Sequence, residues 1–135
     1  MTYFLAKTDP ETYSIDDLKR DGTTEWDGVR NPAAIRNLGG MKPGERVLVY
    51  HTGDEKAVVG IAEVVAAAYP DPKFPDGKLL VVDLEARARL SRPVTLAEMK
   101  ALAEFKDSPL VRQGRLSVVP ITAAQWKAVE ARGRG

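Results

Sequence analysis

The residues with the clearest capacity for chemistry lie in the stretch TEWDGVRN, residues 24–31. Trp26 stands between Glu25 and Asp27, beside a glycine and six residues before a proline, a setting that is unusual inside a helix or strand. An indole ring stacks on a nucleobase with a free energy of about 1–3 kcal/mol. The pattern therefore predicts a loop tryptophan that either closes one end of the fold or forms the aromatic wall of a pocket for a flat ligand.

Arg30 and Asn31 follow Trp26 and add polar groups that suit a nucleotide. An asparagine amide offers a donor and an acceptor in one plane, and an arginine offers a fork for phosphate or carboxylate. The structural alternatives are a helix cap for Asn31, which precedes Pro32, and an ion pair with Asp27 for Arg30. The two roles of Asn31 are compatible, because a cap uses only the side-chain oxygen.

Two predicted strands end in polar side chains. Lys7 and Thr8 follow the first apolar run, and Tyr50, His51 and Thr52 end a later one. His51 is the only histidine and the chain has no cysteine, so no ordinary metal site is expected around it. A solitary histidine at a strand end is more often a hydrogen-bonded structural residue than a base. We expect the neighbouring hydroxyl groups and backbone amides to line a cavity mouth, where small barrels hold ligands, although Lys7 and Thr8 also suit a solvated turn.

Several enzyme classes lose their usual support in this sequence. It contains no G-x-x-x-x-G-K-[ST], no G-x-G-x-x-G after a strand, no G-x-S-x-G and no H-E-x-x-H. The lack of cysteine also excludes disulfides, thiolate zinc sites and a cysteine nucleophile. We therefore expect no metal and no cofactor.

Length and charge bound the remaining possibilities. The 135 residues (14.7 kDa) fit a single domain spanning 1–135, with 44% apolar and 29% charged residues. The net charge of +1 does not favour binding of long nucleic acid by charge alone. Residues 84–135 nevertheless carry ten Lys+Arg against five Asp+Glu, which permits a basic face. No signal peptide or membrane span is evident, so we expect a cytosolic (cytoplasmic) protein with no membrane partner.

Apolar periodicity predicts an α+β fold. Ser14, Thr95 and Thr122 each precede an acid or amide three residues on, which is the pattern of a capping box, and Trp126 lies on an amphipathic helix as a core residue. Gly60, inside an apolar strand, marks a bulge or a close backbone approach. Five strands with short helices favour a small mixed or antiparallel barrel. The predicted strands lie within 2–6, 45–52, 57–70, 78–90 and 116–120, and the helices within 15–20, 32–38, 96–105 and 123–132.

Five segments in order resemble one known family. KTDPETYSIDDL, TEWDGVRN, VLVYHT, GIAEVV with AYPD, and RLSVVPI are similar to the motifs of the EVE domain, over nearly the whole chain. The resemblance implies a PUA-like fold, a five-stranded pseudo-barrel decorated with short helices. It also implies nucleic-acid binding through a pocket for a modified base, with no catalytic activity established for the family.

The resemblance further implies which residues form the pocket. The sequence departs from the family's pattern at two places, and each removes an aromatic ring from the implied pocket. Residues 78–80 are Lys-Leu-Leu where larger relatives have a tryptophan, and Pro32 stands where many relatives have a tyrosine. The implied ligand-binding residues are Lys7, Thr8, Pro10, Trp26, Val29, Arg30, Asn31, Tyr50, His51, Thr52, Ser108 and Ser117.

Three functions follow from these observations. The first is a non-catalytic reader of a modified base in DNA or RNA. In it the base lies against Trp26 and its edge is read by Asn31 and Thr52. The phosphates of the nucleotide are bound by Arg30, Lys7 and the C-terminal arginines. The second is a small amidohydrolase acting on modified nucleosides, similar to some relatives in the ASCH branch. Its catalytic residues would be Lys7, Thr8 and either Glu11 or His51. The third is a small-molecule or protein-interaction module, which the nearly neutral charge favours.

Overall fold

The strands form one mixed sheet in a computed structural model that describes residues 2–74 and 76–134. Their spatial order is β2-β5-β4-β3-β1-β6. β1 runs parallel to β3, and every other neighbouring pair is antiparallel. The strands are β1 (Tyr3–Thr8), β2 (Thr23–Trp26), β3 (Arg46–His51), β4 (Ala57–Pro70), β5 (Leu80–Thr95) and β6 (Val118–Ile121).

Short helices cover the sheet and begin at the predicted caps. Ser14, Thr95 and Thr122 each form a complete capping box, and the Asn31 side chain caps the second helix. These predictions are confirmed because a cap depends on residues three positions apart in the chain. The helices are α1 (Ile15–Asp21), α2 (Pro32–Gly39), α3 (Leu96–Lys100), α4 (Pro109–Arg112) and α5 (Ala123–Gly133), with a 3-10 turn at Ala103–Phe105.

The α+β class is confirmed, but the strand count and the closure differ from the prediction. Six strands are present among the described residues, and β2 and β6 remain at the two ends of the sheet, so it is open. The additional strand is β2, in which exposed Thr23 and Glu25 alternate with less exposed Thr24 and Trp26. Placing Trp26 in a loop was therefore wrong. A strand of four residues, three of them polar, is defined by its pairing with β5, which no local pattern reveals.

The predicted helix over 96–105 is divided in two. α3 ends at Lys100, and Leu102 adopts an extended backbone before the 3-10 turn begins. Met99 and Phe105 are both fully buried, so the apolar stripe still reaches the core. The helix α4 was not predicted, although Pro109 at its first position and Ser108 as its cap are typical of a helix start.

Gly60 is a point of close approach, as predicted. A Cβ there would lie 2.5 Å from the Ile15 Cδ1 atom and 2.9 Å from the Ala88 carbonyl oxygen. The register between β4 and β5 also shifts between Val58 and Gly60. The glycine therefore lets α1 pack directly on the sheet, which fixes the start of that helix beside β4.

The core lies between the sheet and the helices. Leu5, Leu48, Ile15 and Leu18 are fully buried, and the prediction that Trp126 is a core residue is confirmed. None of the helices in the described ranges has the length and apolar character needed to span a membrane.

Candidate nucleic-acid interface

A cavity of about 360 Å³ lies beside Trp26. Its walls come from the end of β1, the loop that leads into α1, and the end of β2. The lining residues are Lys7, Thr8, Thr12, Tyr13, Thr24, Glu25, Trp26 and Asp27. We call this the Trp26 cavity.

Strong curvature of the sheet brings these walls together. Three strands separate β2 from β1 in the sheet, so the two would be about 19 Å apart if it were flat, at about 4.8 Å per strand. Lys7 of β1 and Trp26 of β2 nevertheless line the same cavity. The sheet therefore curls toward a barrel without closing, and the segment 9–22 crosses the remaining gap.

The crossing segment is held by local hydrogen bonds. The Asp9 carbonyl accepts from the backbone N–H groups of Thr12 (2.9 Å) and Tyr13 (2.8 Å), and the Thr8 hydroxyl donates to the Tyr13 carbonyl at 2.7 Å. Ser14 then caps α1. This turn places Tyr13 against the end of β2.

Two aromatic rings meet at the cavity. The Tyr13 and Trp26 centroids are 6.5 Å apart with an interplanar angle of 88°, an edge-to-face arrangement. Trp26 is only 6% exposed, so much of the indole is packed and the rest borders the cavity. The Tyr13 hydroxyl donates to Asp21 at 2.8 Å, which fixes the ring. The cavity thus has two aromatic walls at right angles.

The polar rim carries both signs of charge. Glu25 accepts a hydrogen bond from the Tyr69 hydroxyl at 2.9 Å, and Asp27 forms an ion pair with Lys73. The remaining acceptor positions of both carboxylates can serve a ligand, since an ionised carboxylate has about four lone-pair sites. On the opposite side Lys7 contributes an ammonium group.

Lys7 is a half-buried cation without a carboxylate partner among the described residues. Its Nζ atom donates to the Gly114 carbonyl at 3.0 Å and lies 5.5 Å from the centre of the Tyr50 ring. Burial lowers the pKa of the Lys7 ammonium from its ordinary value, because desolvation disfavours the charged form. An anionic ligand would relieve that cost.

A smaller second cavity, of about 210 Å³, adjoins Lys7. Tyr50 and Thr52 line this cavity and not the first one, so the predicted pocket residues are distributed over two spaces with Lys7 common to both. The lining residues are Lys7, Tyr50, Thr52, Gly53, Lys56, Leu96, Leu110 and Gly114. We call this the Tyr50 cavity.

His51 lies outside both cavity linings and is structurally engaged. It is 5% exposed, its Nε2 atom accepts from the Ile15 N–H at 3.0 Å, and its Nδ1 atom lies 2.7 Å from the Glu55 carboxylate. Since Nε2 accepts, the neutral ring carries its proton on Nδ1 and donates it to Glu55. His51 therefore ties the start of α1 to the end of β3.

The other residues of the second predicted motif do not line the Trp26 cavity. The Asn31 oxygen accepts from the N–H groups of Ala33 (2.9 Å) and Ala34 (3.2 Å), which is the cap role. The Arg30 guanidinium lies over the Phe74 ring at 5.1 Å, so it does not form the expected pair with Asp27. Val29 is 6% exposed and belongs to the core.

The remaining predicted residues have structural contacts. Ser108 is buried, and its hydroxyl oxygen accepts from the Leu110 N–H at 3.1 Å as the cap of α4. It borders a different cavity, of about 490 Å³. The Ser117 carbonyl accepts from the Lys7 N–H at 2.9 Å, and Pro10 is half-buried within the crossing segment.

Five residues of the Trp26 cavity were not predicted: Thr12, Tyr13, Thr24, Glu25 and Asp27. Tyr13 follows Lys7 and Thr8 in the same segment, so its proximity to them was a usable signal. The approach of that segment to β2 was not visible, because it depends on the curl of the sheet. Within residues 2–74 and 76–134, no group of three His, Cys, Asp or Glu side chains could hold a metal ion.

Solved structures of similar proteins share this fold over most of their length. The NMR structure of Rpa0253 from Rhodopseudomonas palustris has a TM-score of 0.91 and 41% identity, and the match covers 98% of this chain and 93% of that chain. The human THYN1 protein, solved in complex with 5-methylcytosine-containing DNA, has a TM-score of 0.91 and 30% identity, covering 100% of this chain and 99% of that one.

A more distant structure shows only the fold. The YTH domain of Zygosaccharomyces rouxii MRB1, solved with N6-methyladenosine RNA, has a TM-score of 0.61 at 14% identity, covering 99% of this chain and 87% of that chain. These likenesses confirm the predicted PUA-like α+β architecture.

Sequence comparison gives the same relationship. Human thymocyte nuclear protein 1 is 30% identical over 162 residues, which cover 95% of this chain and 72% of that protein. The family model described as "EVE domain" matches residues 2–132. This chain therefore belongs to the EVE domain family.

Proposed function

We propose that this protein binds nucleic acid and reads a modified base, with the base held in the Trp26 cavity. One observation carries the proposal: two aromatic rings and several polar side chains enclose a space of about 360 Å³. That volume lies at the lower end of the range for small-molecule sites, about 300–1,000 Å³. A flat aromatic guest fits the Trp26 and Tyr13 walls better than a flexible aliphatic one.

One relative favours a base of the 5-methylcytosine type. The human THYN1 protein was solved with DNA that contains 5-methylcytosine. Cytosine has an exocyclic amine, which carboxylates such as Glu and Asp accept from, and its 5-methyl group needs an apolar contact. Glu25 and Asp27 offer such acceptors and Trp26 offers the apolar surface. We propose that these residues, and not Asn31, contact the edge of the base.

A base buried in this cavity must leave its stack. Extrusion of a nucleotide from a duplex costs a few kcal/mol, and the cost is lower for single strands. Lys7 then provides a positive charge at the cavity where the backbone enters. We expect single-stranded modified oligonucleotides to bind more tightly than duplexes of the same sequence.

The test compares matched oligonucleotides that differ only in cytosine modification. Fluorescence anisotropy at two salt concentrations should give tighter binding of one modified form, and Trp26→Phe should reduce that preference because the smaller ring loses contact area. Lys7→Gln should weaken binding of all sequences and lower the slope of log affinity against log salt concentration by about one. Lys127→Gln, at an exposed lysine, is the matched charge control. Equal affinity for every modification would refute the proposal.

We propose that the protein is not an enzyme. The amidohydrolase alternative required Lys7 and Thr8 with Glu11 or His51. The Thr8 hydroxyl is committed to the Tyr13 carbonyl, both His51 nitrogens have partners, and Glu11 is exposed and outside the cavity lining. The unmodified protein, incubated with acylated nucleosides, should release no more carboxylic acid than the Lys7→Ala variant does. Turnover that Lys7→Ala abolishes would establish the enzyme instead.

A further inference from the structure

The Tyr50 cavity contains a tyrosine hydroxyl that has no protein partner in the described ranges. Tyr50 is 3% exposed, yet its hydroxyl makes no hydrogen bond to any residue of the described ranges. In the described ranges, every side-chain polar atom that is fully enclosed has a hydrogen-bond partner. The Tyr50 hydroxyl therefore retains access to the cavity. This hydroxyl therefore offers a free donor to a ligand that enters the cavity.

The charges around this hydroxyl are all positive. Lys7 and Lys56 line the cavity, and neither forms an ion pair within residues 2–74 and 76–134. The lining contains no carboxylate, in contrast with Glu25 and Asp27 at the Trp26 cavity. Two ammonium groups without an acid favour a ligand that is an anion.

Apolar and backbone groups complete the cavity. Leu96 and Leu110 form apolar walls, which lower the local polarity and so strengthen an ionic contact. Burial raises the pKa of the Tyr50 hydroxyl, so it stays a donor over the ordinary pH range. Donors and cations thus converge on a space of about 210 Å³ that is smaller than the Trp26 cavity.

The backbone position of Lys56 supports a role at this site. Its φ angle is 45°, in the left-handed region, and it is the one residue other than glycine with positive φ in the described ranges. The Lys56 carbonyl accepts from the Leu96 N–H at 2.8 Å, which holds this conformation against α3. A lysine where glycine would be less strained indicates a requirement for its side chain.

Lys7 connects the two cavities. It lines both, and the β1–β3 register pairs it with Tyr50, while the Thr52 N–H donates to the Thr8 carbonyl at 2.9 Å. A ligand that occupies both spaces must pass the Lys7 ammonium. A nucleotide has this form, with a flat base at one end and an anion at the other.

We propose that the Tyr50 cavity is a phosphate subsite, in which Tyr50, Lys7 and Lys56 bind the phosphodiester adjoining the base held in the Trp26 cavity. This inference rests on the proposed function. It determines the course of the nucleic acid: the backbone passes over β3 and the Lys56 turn, and avoids the acidic side formed by Glu25 and Asp27.

The test uses small ligands of increasing size on the full chain. Binding of 5-methyl-2′-deoxycytidine, its 3′- and 5′-monophosphates and inorganic phosphate is followed by NMR chemical shifts of the backbone amides. One monophosphate should bind at least about tenfold more tightly than the nucleoside, the gain expected of a hydrogen bond to a charged group. That ligand should shift the amides of Tyr50, Gly53 and Lys56.

Four variants separate binding at the subsite from general electrostatic attraction. Tyr50→Phe keeps the buried ring and should remove most of the tenfold gain while nucleoside binding stays unchanged. Lys56→Gln should do the same, and Lys56→Arg should restore the gain. Lys100→Gln removes an equal charge from exposed α3 next to this region but outside the cavity lining, and should have no effect.

Failure of this inference and failure of the proposed function give different results. A nucleoside that binds at Trp26 with no gain from either phosphate overturns the subsite and leaves the base reader intact. Phosphate-dependent binding that Tyr50→Phe abolishes, without any nucleoside binding, supports an anion site and overturns the base reader. Inorganic phosphate that binds as tightly as the monophosphate overturns the link to a phosphodiester.

Discussion

The two tryptophans have the same exposure and different surroundings. Trp26 and Trp126 are each 6% exposed. Trp126 stacks on Tyr3 with centroids 4.7 Å apart and an interplanar angle of 21°, joining α5 to β1. Trp26 meets Tyr13 edge to face and borders the cavity of about 360 Å³. Residue exposure alone therefore does not distinguish a core ring from a ring beside a ligand space.

The difference follows from what each ring faces. An indole packed on both faces contributes through buried area and dispersion, and its removal leaves a void that the neighbours cannot fill. An indole next to an existing void has contacts still to be made, and a flat ligand can make them. Trp126 should therefore be important mainly for stability and Trp26 for binding.

The largest expected effect is a loss of stability on substitution of Trp126. Trp126→Ala should lower the free energy of unfolding by about 3–5 kcal/mol, because it removes a buried aromatic ring and its stack on Tyr3. Urea denaturation followed by circular dichroism measures this loss. A loss below about 1 kcal/mol would show that the α5 packing is not part of the core.

The next effect concerns binding at Trp26. Trp26→Ala should reduce affinity for the modified oligonucleotide by about 1–3 kcal/mol, since one stacking surface is lost. Anisotropy titrations of the folded protein measure it, with Trp126→Phe as the matched control that keeps its affinity. If Trp126→Phe weakened binding as much as Trp26→Ala, the comparison between the two rings would fail.

Two glycines extend the comparison to the backbone. Gly60→Ala, where α1 packs on β4, should destabilise by about 1–3 kcal/mol, because the new methyl group meets Ile15 and the rigid Ala88 carbonyl. Gly133→Ala, at the end of α5, meets only the Leu90 side chain, which can move. Its effect should be smaller. Thermal unfolding of both variants checks the order, and the reverse order would contradict the role of Gly60 in seating α1.

The smallest effect is the pH dependence that Lys7 introduces. Its pKa is lowered by burial, so oligonucleotide affinity should begin to fall at a lower pH than an exposed lysine would cause. Stability should change in the opposite direction: the unfolded state binds more protons, so stability rises with pH until the ordinary pKa of lysine is passed. Titrations from neutral to alkaline pH test both signs.

Lys7→Gln should abolish this pH dependence of affinity. The same titration with Lys127→Gln, whose substitution lies on the exposed surface of α5, should retain it. A pH profile that is identical in all three proteins would show that Lys7 does not contact the ligand.

Local features were the most predictable part of the fold. Ser14, Thr95 and Thr122 were predicted as caps and form complete capping boxes, since a cap involves one turn of chain. Trp126 was predicted as a core residue from helical spacing. Lys7, Thr8 and Trp26 were predicted at a pocket and border the same cavity.

The differences from the prediction concern residues whose place depends on distant partners. β2 was interpreted as a loop because three polar residues and a tryptophan become a strand only by pairing with β5. Arg30 and Asn31 follow Trp26 closely in sequence, but neither lines the Trp26 cavity. Asn31 caps α2, and Arg30 lies over the Phe74 ring. Tyr13 joins the cavity only because the segment 9–22 spans the curled sheet.

The amino-acid sequence by itself determined the helix starts, the apolar strands, the family and the chemical character of the strand ends. These properties arise from spacing of a few residues and from side-chain types, which the chain carries wherever it folds. The tertiary structure decided that Trp26 and Tyr13 form one corner, and that Tyr50 and Lys56 form another. Strand pairing and sheet curvature sum over contacts between residues far apart in the chain, so short-range patterns do not contain them.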